Sequence, residues 1–138
     1  MKGNVINICK ELTGLVPEVG MDALTFNSDG MRICFYLEGE IGGFMPEESK
    51  DIDGYVALFA TMYSKREGIF KAYRQYINWY GNVLSKVESY LDDIDYEYCF
   101  VSIEDNVIVI DDDEYDLSGD LFPEELTPIL QEVKAMFK

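Results

Sequence analysis

Apolar residues along the chain switch between two spacings, and the switches divide it into elements. Val5, Ile8, Leu12 and Leu15 recur every three or four residues, which predicts a short amphipathic helix over 4–16 with Asn4 as its N-cap and Pro17 as its stop. Leu24-Thr25-Phe26 and Met31-Arg32-Ile33-Cys34-Phe35-Tyr36-Leu37 then flank Asn27-Ser28-Asp29-Gly30. That cluster holds turn formers, and Gly30 is free to take a positive φ, so a β-hairpin is expected. Glu40-Ile41-Gly42-Gly43-Phe44-Met45 reads as a third strand, weakened by two glycines and ended by Pro46.

From Ile52 the period lengthens. Tyr55, Phe59, Met62 and Tyr63, then Ile69, Tyr73, Tyr76, Ile77, Tyr80, Leu84, Val87 and Leu91, fall at steps of three or four, the signature of one long helix or two. Gly68 costs a helix about 1 kcal/mol, so a break or kink is expected near Arg66–Gly68. The opposite face carries Glu67, Lys71, Arg74, Asn78, Asn82, Ser85 and Ser89 and should be wet. A second hairpin follows, Tyr98–Ile103 turning at Glu104-Asp105-Asn106 into Val107-Ile108-Val109-Ile110. Its unbroken β-branched run predicts a central strand covered on both faces. A last helix opens at Pro123 or Thr127-Pro128 and places Leu126, Ile129, Leu130, Val133 and Phe137 on one stripe.

The order α-β-β-(β)-α-α-β-β-α contains no βαβ glycine signature. It predicts an α+β fold, a mostly antiparallel sheet of four to five strands in two hairpins packed with amphipathic helices. A length of 138 residues suits a single domain. Ile33, Phe35, Val101, Ile103, Ile108, Val133 and Phe137 are expected to share one core.

Composition changes the functional picture more than the structural one. Histidine is absent, which removes the commonest general base, the commonest metal ligand and every Ser-His or Cys-His dyad. There is no P-loop, no G-x-G-x-x-G and no G-x-S-x-G. Paired carboxylates such as Asp92, Asp93, Asp95 and Glu97 are able to do acid–base work, but in so acidic a chain such pairs arise by number alone. No enzymatic activity, cofactor or metal is therefore expected. The EF-hand pattern fails as well. Started at Asp111, the sixth and twelfth positions are Asp116 and Phe122; started at Asp112, they are Leu117 and Pro123, where glycine and glutamate are needed.

Cys9, Cys34 and Cys99 are far apart and odd in number, read as small buried hydrophobes in a reducing, cytoplasmic setting. The N-terminal apolar run is broken by Asn7 and by Lys10-Glu11, unlike a signal peptide, and no stretch approaches a membrane span.

Charge is the outlier: 11 Lys plus Arg against 27 Asp plus Glu give a net −16. Direct binding to nucleic acid or to anionic membranes is disfavoured, because both depend on Lys and Arg. Residues 1–46 carry −3, residues 47–91 are neutral and residues 92–138 carry −13. The centre of the acidic part is Asp111-Asp112-Asp113-Glu114-Tyr115-Asp116, with Asp120 beyond it. Such a run is a solvated loop, a docking face for a basic protein partner, or a cluster of carboxylates that binds divalent metal non-specifically. Trp79 is the other candidate contact. It falls about 110° from the centre of the apolar stripe of its helix, so a second packed surface is expected there, within the chain or with a partner. A homodimer is expected through the aromatic surface around Tyr76, Trp79, Tyr80 and Val83.

The run Asp22-Ala23-Leu24-Thr25-Phe26-Asn27-Ser28-Asp29-Gly30-Met31-Arg32-Ile33-Cys34-Phe35-Tyr36-Leu37 after an amphipathic helix resembles the opening of the small acidic chaperones of type III secretion. The close of the chain, Val101–Ile110 followed by Pro123–Phe137, is similar to theirs. This resemblance implies an α-β-β-β-α-β-β-α order, a homodimer without enzymatic activity, and binding of an extended segment of another protein. The expected function is a non-catalytic acidic protein that masks or escorts a basic protein, of immunity, antitoxin or secretion-chaperone type. The alternative is a nucleic-acid mimic that inhibits a DNA- or RNA-binding enzyme, of anti-restriction or anti-CRISPR type, its carboxylates standing in for phosphates.

Overall fold

A computed structural model describes residues 2–46 and 51–137. It has an α+β fold with four helices and two antiparallel sheets. The chain forms two compact units, Lys2–Ile77 and a unit from Asn78 onward.

The first unit opens with helix α1, Lys2–Thr13, which buries Val5 and Cys9. Asn4 lies inside this helix rather than capping it, and the helix ends at Gly14, with φ 78°, before Pro17 is reached. Glycine takes that left-handed conformation without the Cβ clash other residues meet, so it stops the helix first. Strands β1 (Glu18–Val19), β2 (Ala23–Ser28), β3 (Met31–Tyr36) and β4 (Ile41–Phe44) form a sheet in that order. The expected hairpin is β2–β3. Ser28 pairs with Met31 across a two-residue turn in which Asp29 and Gly30 both take positive φ, 52° and 83°, the backbone twist that favours Asp-Gly at such turns. The strand expected within Glu40–Met45 forms as β4, the fourth of this sheet, and its glycines have a packing role. A Cβ on Gly43 would collide with the Tyr55 hydroxyl, and one on Gly42 would press on the Tyr36 ring.

Helix α2, Ile52–Ser64, is capped by Asp51, whose carboxylate accepts from the Gly54 amide at 3.0 Å. The expected break falls at Lys65, between α2 and α3 (Arg66–Asp93), slightly ahead of Gly68. Gly68 lies within α3 because helix packing needs it bare: a Cβ there would sit 2.8 Å from Leu12 Cδ1. Phe26, Phe35 and Phe70 meet edge to face at 5.7 and 5.2 Å, and the buried Tyr73 hydroxyl donates to the Gly20 carbonyl at 2.7 Å. This last bond answers the need of a buried polar group for a partner.

The second unit takes the later part of α3, strands β5 (Val101–Glu104), β6 (Val107–Ile110) and β7 (Asp113–Asp116), and helix α4 (Thr127–Ala135). β6 is the central strand, and Ile108, Val109 and Ile110 are nearly sealed, as their β-branched run predicts. Pro128 occupies the first turn of α4, whose Ile129, Leu130 and Val133 join Val83, Val87 and Leu91 of α3 in one cluster. The predicted wet face holds along α3, with Glu67, Lys71, Arg74, Asn78, Asn82, Ser85 and Ser89 all exposed.

The seven residues expected in one core divide between the units. Ile33 and Phe35 are buried in the first; Val101, Ile103, Ile108, Val133 and Phe137 belong to or pack against the cluster of the second. The strands form two antiparallel sheets, of four and three, rather than one, and β1 and β7 are additional short strands whose sequences carry little apolar signal. The segment read as strand from Tyr98 enters the ladder only at Val101.

Candidate partner-binding surface

The acidic run is built into the second sheet. β7 pairs with β6 in the register Ile108 to Tyr115 and Val109 to Glu114, and it forms one edge of the sheet. Alternation along the strand turns Tyr115 inward, half-buried against the core cluster, and Glu114 and Asp116 outward; Asp113 shares the phase of Tyr115 but is exposed at the head of the strand. Leu117 follows in the same phase as Tyr115 and is buried. That alternation of Tyr115 and Leu117 is the sequence signal for a strand, and the acids around it hide it, since Asp and Glu are poor strand formers.

Several of the acids hold the local backbone. Asp111 sits at the β6–β7 turn with φ 53°, and its Oδ1 accepts from the amides of Cys99 and Phe100 at 2.8 and 3.1 Å. These bonds account for the late start of β5. Asp116 Oδ1 accepts from both the amide and the hydroxyl of Ser118, at 2.9 and 2.6 Å, which lowers the carboxyl pKa. Lys134 donates to Asp120 Oδ1 at 2.8 Å, and that hydrogen bond and charge hold the Asp120 carboxyl below its ordinary value. Burial foremost, then Tyr96 and the Asp113 carboxylate, push the Tyr115 phenol up to about 12. Asp112, Asp113 and Glu114 extend into solvent at the head of the strand.

The unit from residue 78 onward carries 16 Asp plus Glu against 3 Lys, a net −13. Both lysines described in it are already engaged, Lys86 with Glu132 at 2.7 Å and Lys134 with Asp120. The exposed acids of the β7 edge therefore meet little compensating charge within their own unit.

Trp79 is placed elsewhere. Its indole Nε1 donates to the Met136 carbonyl at 2.7 Å and its ring meets Phe137 edge to face at 4.8 Å. The second packed surface expected of it is thus the C-terminal end of α4, within its own unit. Tyr76, Tyr80 and Val83, the other residues of the surface expected to pair two copies, are buried as well. Tyr80 also accepts from the Ile103 amide at 3.1 Å.

Cys9 and Cys34 are buried, and burial pushes the Cys9 thiol up to about 11, the character of an inert small hydrophobe. Cys99 is exposed, unlike the other two. Among the described residues no group of three or more Cys, Asp or Glu is arranged to hold a metal ion, and no helix is long and apolar enough to cross a membrane. No protein-family profile matches the chain, and neither a curated protein nor a solved structure matches it.

Proposed function

We propose that this chain is a non-catalytic acidic protein that masks or escorts a basic protein partner, as immunity proteins, antitoxins and secretion chaperones do. The observation that carries this reading is the β7 edge: a short strand at the border of a sheet, lined by exposed carboxylates, in a unit whose described lysines are already paired. An open edge offers main-chain hydrogen bonds to an added strand. Acidic side chains there repel a second copy of the same edge, which protects against self-pairing, and favour a strand rich in Lys or Arg. Complementary charge also speeds encounter, so a binder of this kind acts quickly without chemistry of its own.

The test separates charge from fold. Asp112→Asn, Asp113→Asn and Glu114→Gln together remove three charges while leaving Asp111, Asp116 and Asp120 to their structural bonds. Wild-type and triple-variant protein serve as bait in extracts of the native source. Recovery of a basic protein by the wild type, lost with the triple variant, supports the reading. Equal recovery by both, or no protein with either, argues against it. A recovered nucleic-acid enzyme that duplex DNA displaces from the wild type moves the assignment to the mimic.

A further inference from the structure

Helix α2 leaves an apolar face open to solvent. Between Asp53 and Lys65 it carries no charged residue. Its Tyr55, Phe59 and Met62 turn toward the chain, with Tyr55 and Phe59 over Gly43 of β4 and Met62 fully buried. A second row lies beside them. Ile52, Val56 and Tyr63 are 61%, 56% and 48% exposed, and Ala60 is exposed between them. At 100° per residue these four positions fall within about 80° of one another, one continuous stripe along a helix about 20 Å long.

We infer that this outer face of α2 is the contact through which two copies of the chain pair, with the two α2 helices antiparallel about a two-fold axis. Three observations select a second copy as the occupant. The first is continuity. Ile52, Val56, Ala60 and Tyr63, with the edges of Tyr55 and Phe59, form one contiguous apolar row along the helix, the kind of centre on which a homodimer contact of roughly 800 Å² per partner, about 65% apolar, is built.

The second is charge pattern. One end of the stripe is flanked by Asp53 and the other by Arg66, whose guanidinium lies over the Tyr63 ring, while Asp51 is engaged as the N-cap of α2 and Lys65 falls on the far side of the helix. Antiparallel pairing sets Asp53 of each copy toward Arg66 of the other, twice over, which is the self-complementary patch a two-fold contact requires, carried by α2 and the first residue of α3. The Arg66 guanidinium lies beside the stripe, 4.0 Å over the Tyr63 ring and donating to the Tyr63 carbonyl at 2.9 Å. The third is the low charge of the unit that carries α2. Residues 2–77 hold 8 Lys plus Arg and 11 Asp plus Glu, a net −3 in a chain of −16. A self-contact here meets the least like-charge repulsion the chain offers.

The inference is independent of the acidic edge. Its test is sedimentation velocity of the full chain from 1 to 200 µM, with far-UV circular dichroism as the check on folding. The wild type is expected to dimerise in the micromolar range. Val56→Asp, on an exposed position, keeps the same spectrum and weakens the dimer by about 100-fold or more, because it places two unpaired carboxylates in an apolar contact. Asp53→Lys alone weakens it about tenfold, and the double variant Asp53→Lys with Arg66→Glu returns it to within about threefold of wild type. A wild type that stays monomeric at 200 µM overturns the proposal. So does a dimer that Val56→Asp leaves unchanged.

Discussion

Asp111 offers the sharpest separation between a charge that acts on a partner and a charge that acts on the fold. Its backbone is left-handed, φ 53°, and one oxygen accepts from two amides at the entry to β5. Asparagine keeps a neutral acceptor and tolerates that backbone, so Asp111→Asn should cost about 0.5 kcal/mol or less. Glycine keeps the conformation and loses both bonds. They lie at a half-buried turn where water takes part of the loss, and Asp111→Gly should cost about 1.5 kcal/mol. Alanine loses the bonds and adds the left-handed penalty of roughly 1 kcal/mol, so Asp111→Ala should cost about 2–3 kcal/mol. The neighbouring Asp112→Ala, at an exposed site with no recorded bond, should stay within about 0.5 kcal/mol of wild type. Urea unfolding followed by Trp79 fluorescence reads this directly, since Trp79 packs on Phe137 in the same unit. For Asp111→Ala the midpoint should fall by about 1–2 M urea at a typical small-protein slope. Equal midpoints for Asp111→Ala and Asp112→Ala, or a glycine variant less stable than the alanine one, would refute the reasoning.

Trp79→Phe should lose the bond to the Met136 carbonyl and cost about 1 kcal/mol, and Trp79→Ala, which also empties the contact with Phe137, about 2–3 kcal/mol; thermal melts decide, and a Trp79→Ala variant as stable as wild type would show that the ring does not pack as described. Gly43→Ala should destabilise the first unit by about 1–3 kcal/mol, because the Tyr55 ring has to leave its seat on β4; unchanged denaturant midpoints would contradict that seat. Tyr73 and Tyr115 have phenols raised from the ordinary 10 to about 12, chiefly by burial. A raised folded-state value means that their neutral forms stabilise the fold fully below pH 10, and that this share is lost as pH rises toward 12. Absorbance at 295 nm should therefore show these two tyrosines ionising after the exposed ones, with stability falling over the same interval; a single transition near pH 10 with no loss of stability would contradict it.

Periodicity carried the fold class far into the sequence. The β2–β3 turn was legible because Asp29-Gly30 has a backbone preference of its own, and β6 because four β-branched residues in a row favour a covered central strand. The misses have physical causes too. Gly68 looks like a helix breaker locally, yet the approach of Leu12 requires a bare position there, and no local pattern contains a residue so distant in sequence. Trp79 stands off its own helical stripe because α4 supplies a second wall for it, a tertiary fact. The acidic site was legible as charge but not as structure. Composition placed Asp111 to Asp120 in one run, and only pairing with β6 divides it into turn caps, an inward Tyr115 and an exposed remainder. The α2 face was hidden for the opposite reason: its apolar residues fit a core, and the pattern does not show that one of their two rows stays uncovered.

The central claim is that exposed carboxylates on the β7 edge bind a basic protein. It is tested most directly by measuring the association rate and affinity of the recovered partner for the wild type and for the Asp112→Asn, Asp113→Asn, Glu114→Gln variant, at 50 and 500 mM salt. The account predicts a wild-type association rate that falls at least about tenfold with salt, a triple variant that is slow at both concentrations, and an affinity loss of about 30-fold or more at low salt. Rates and affinities that are the same for the two proteins, at either salt concentration, would contradict it.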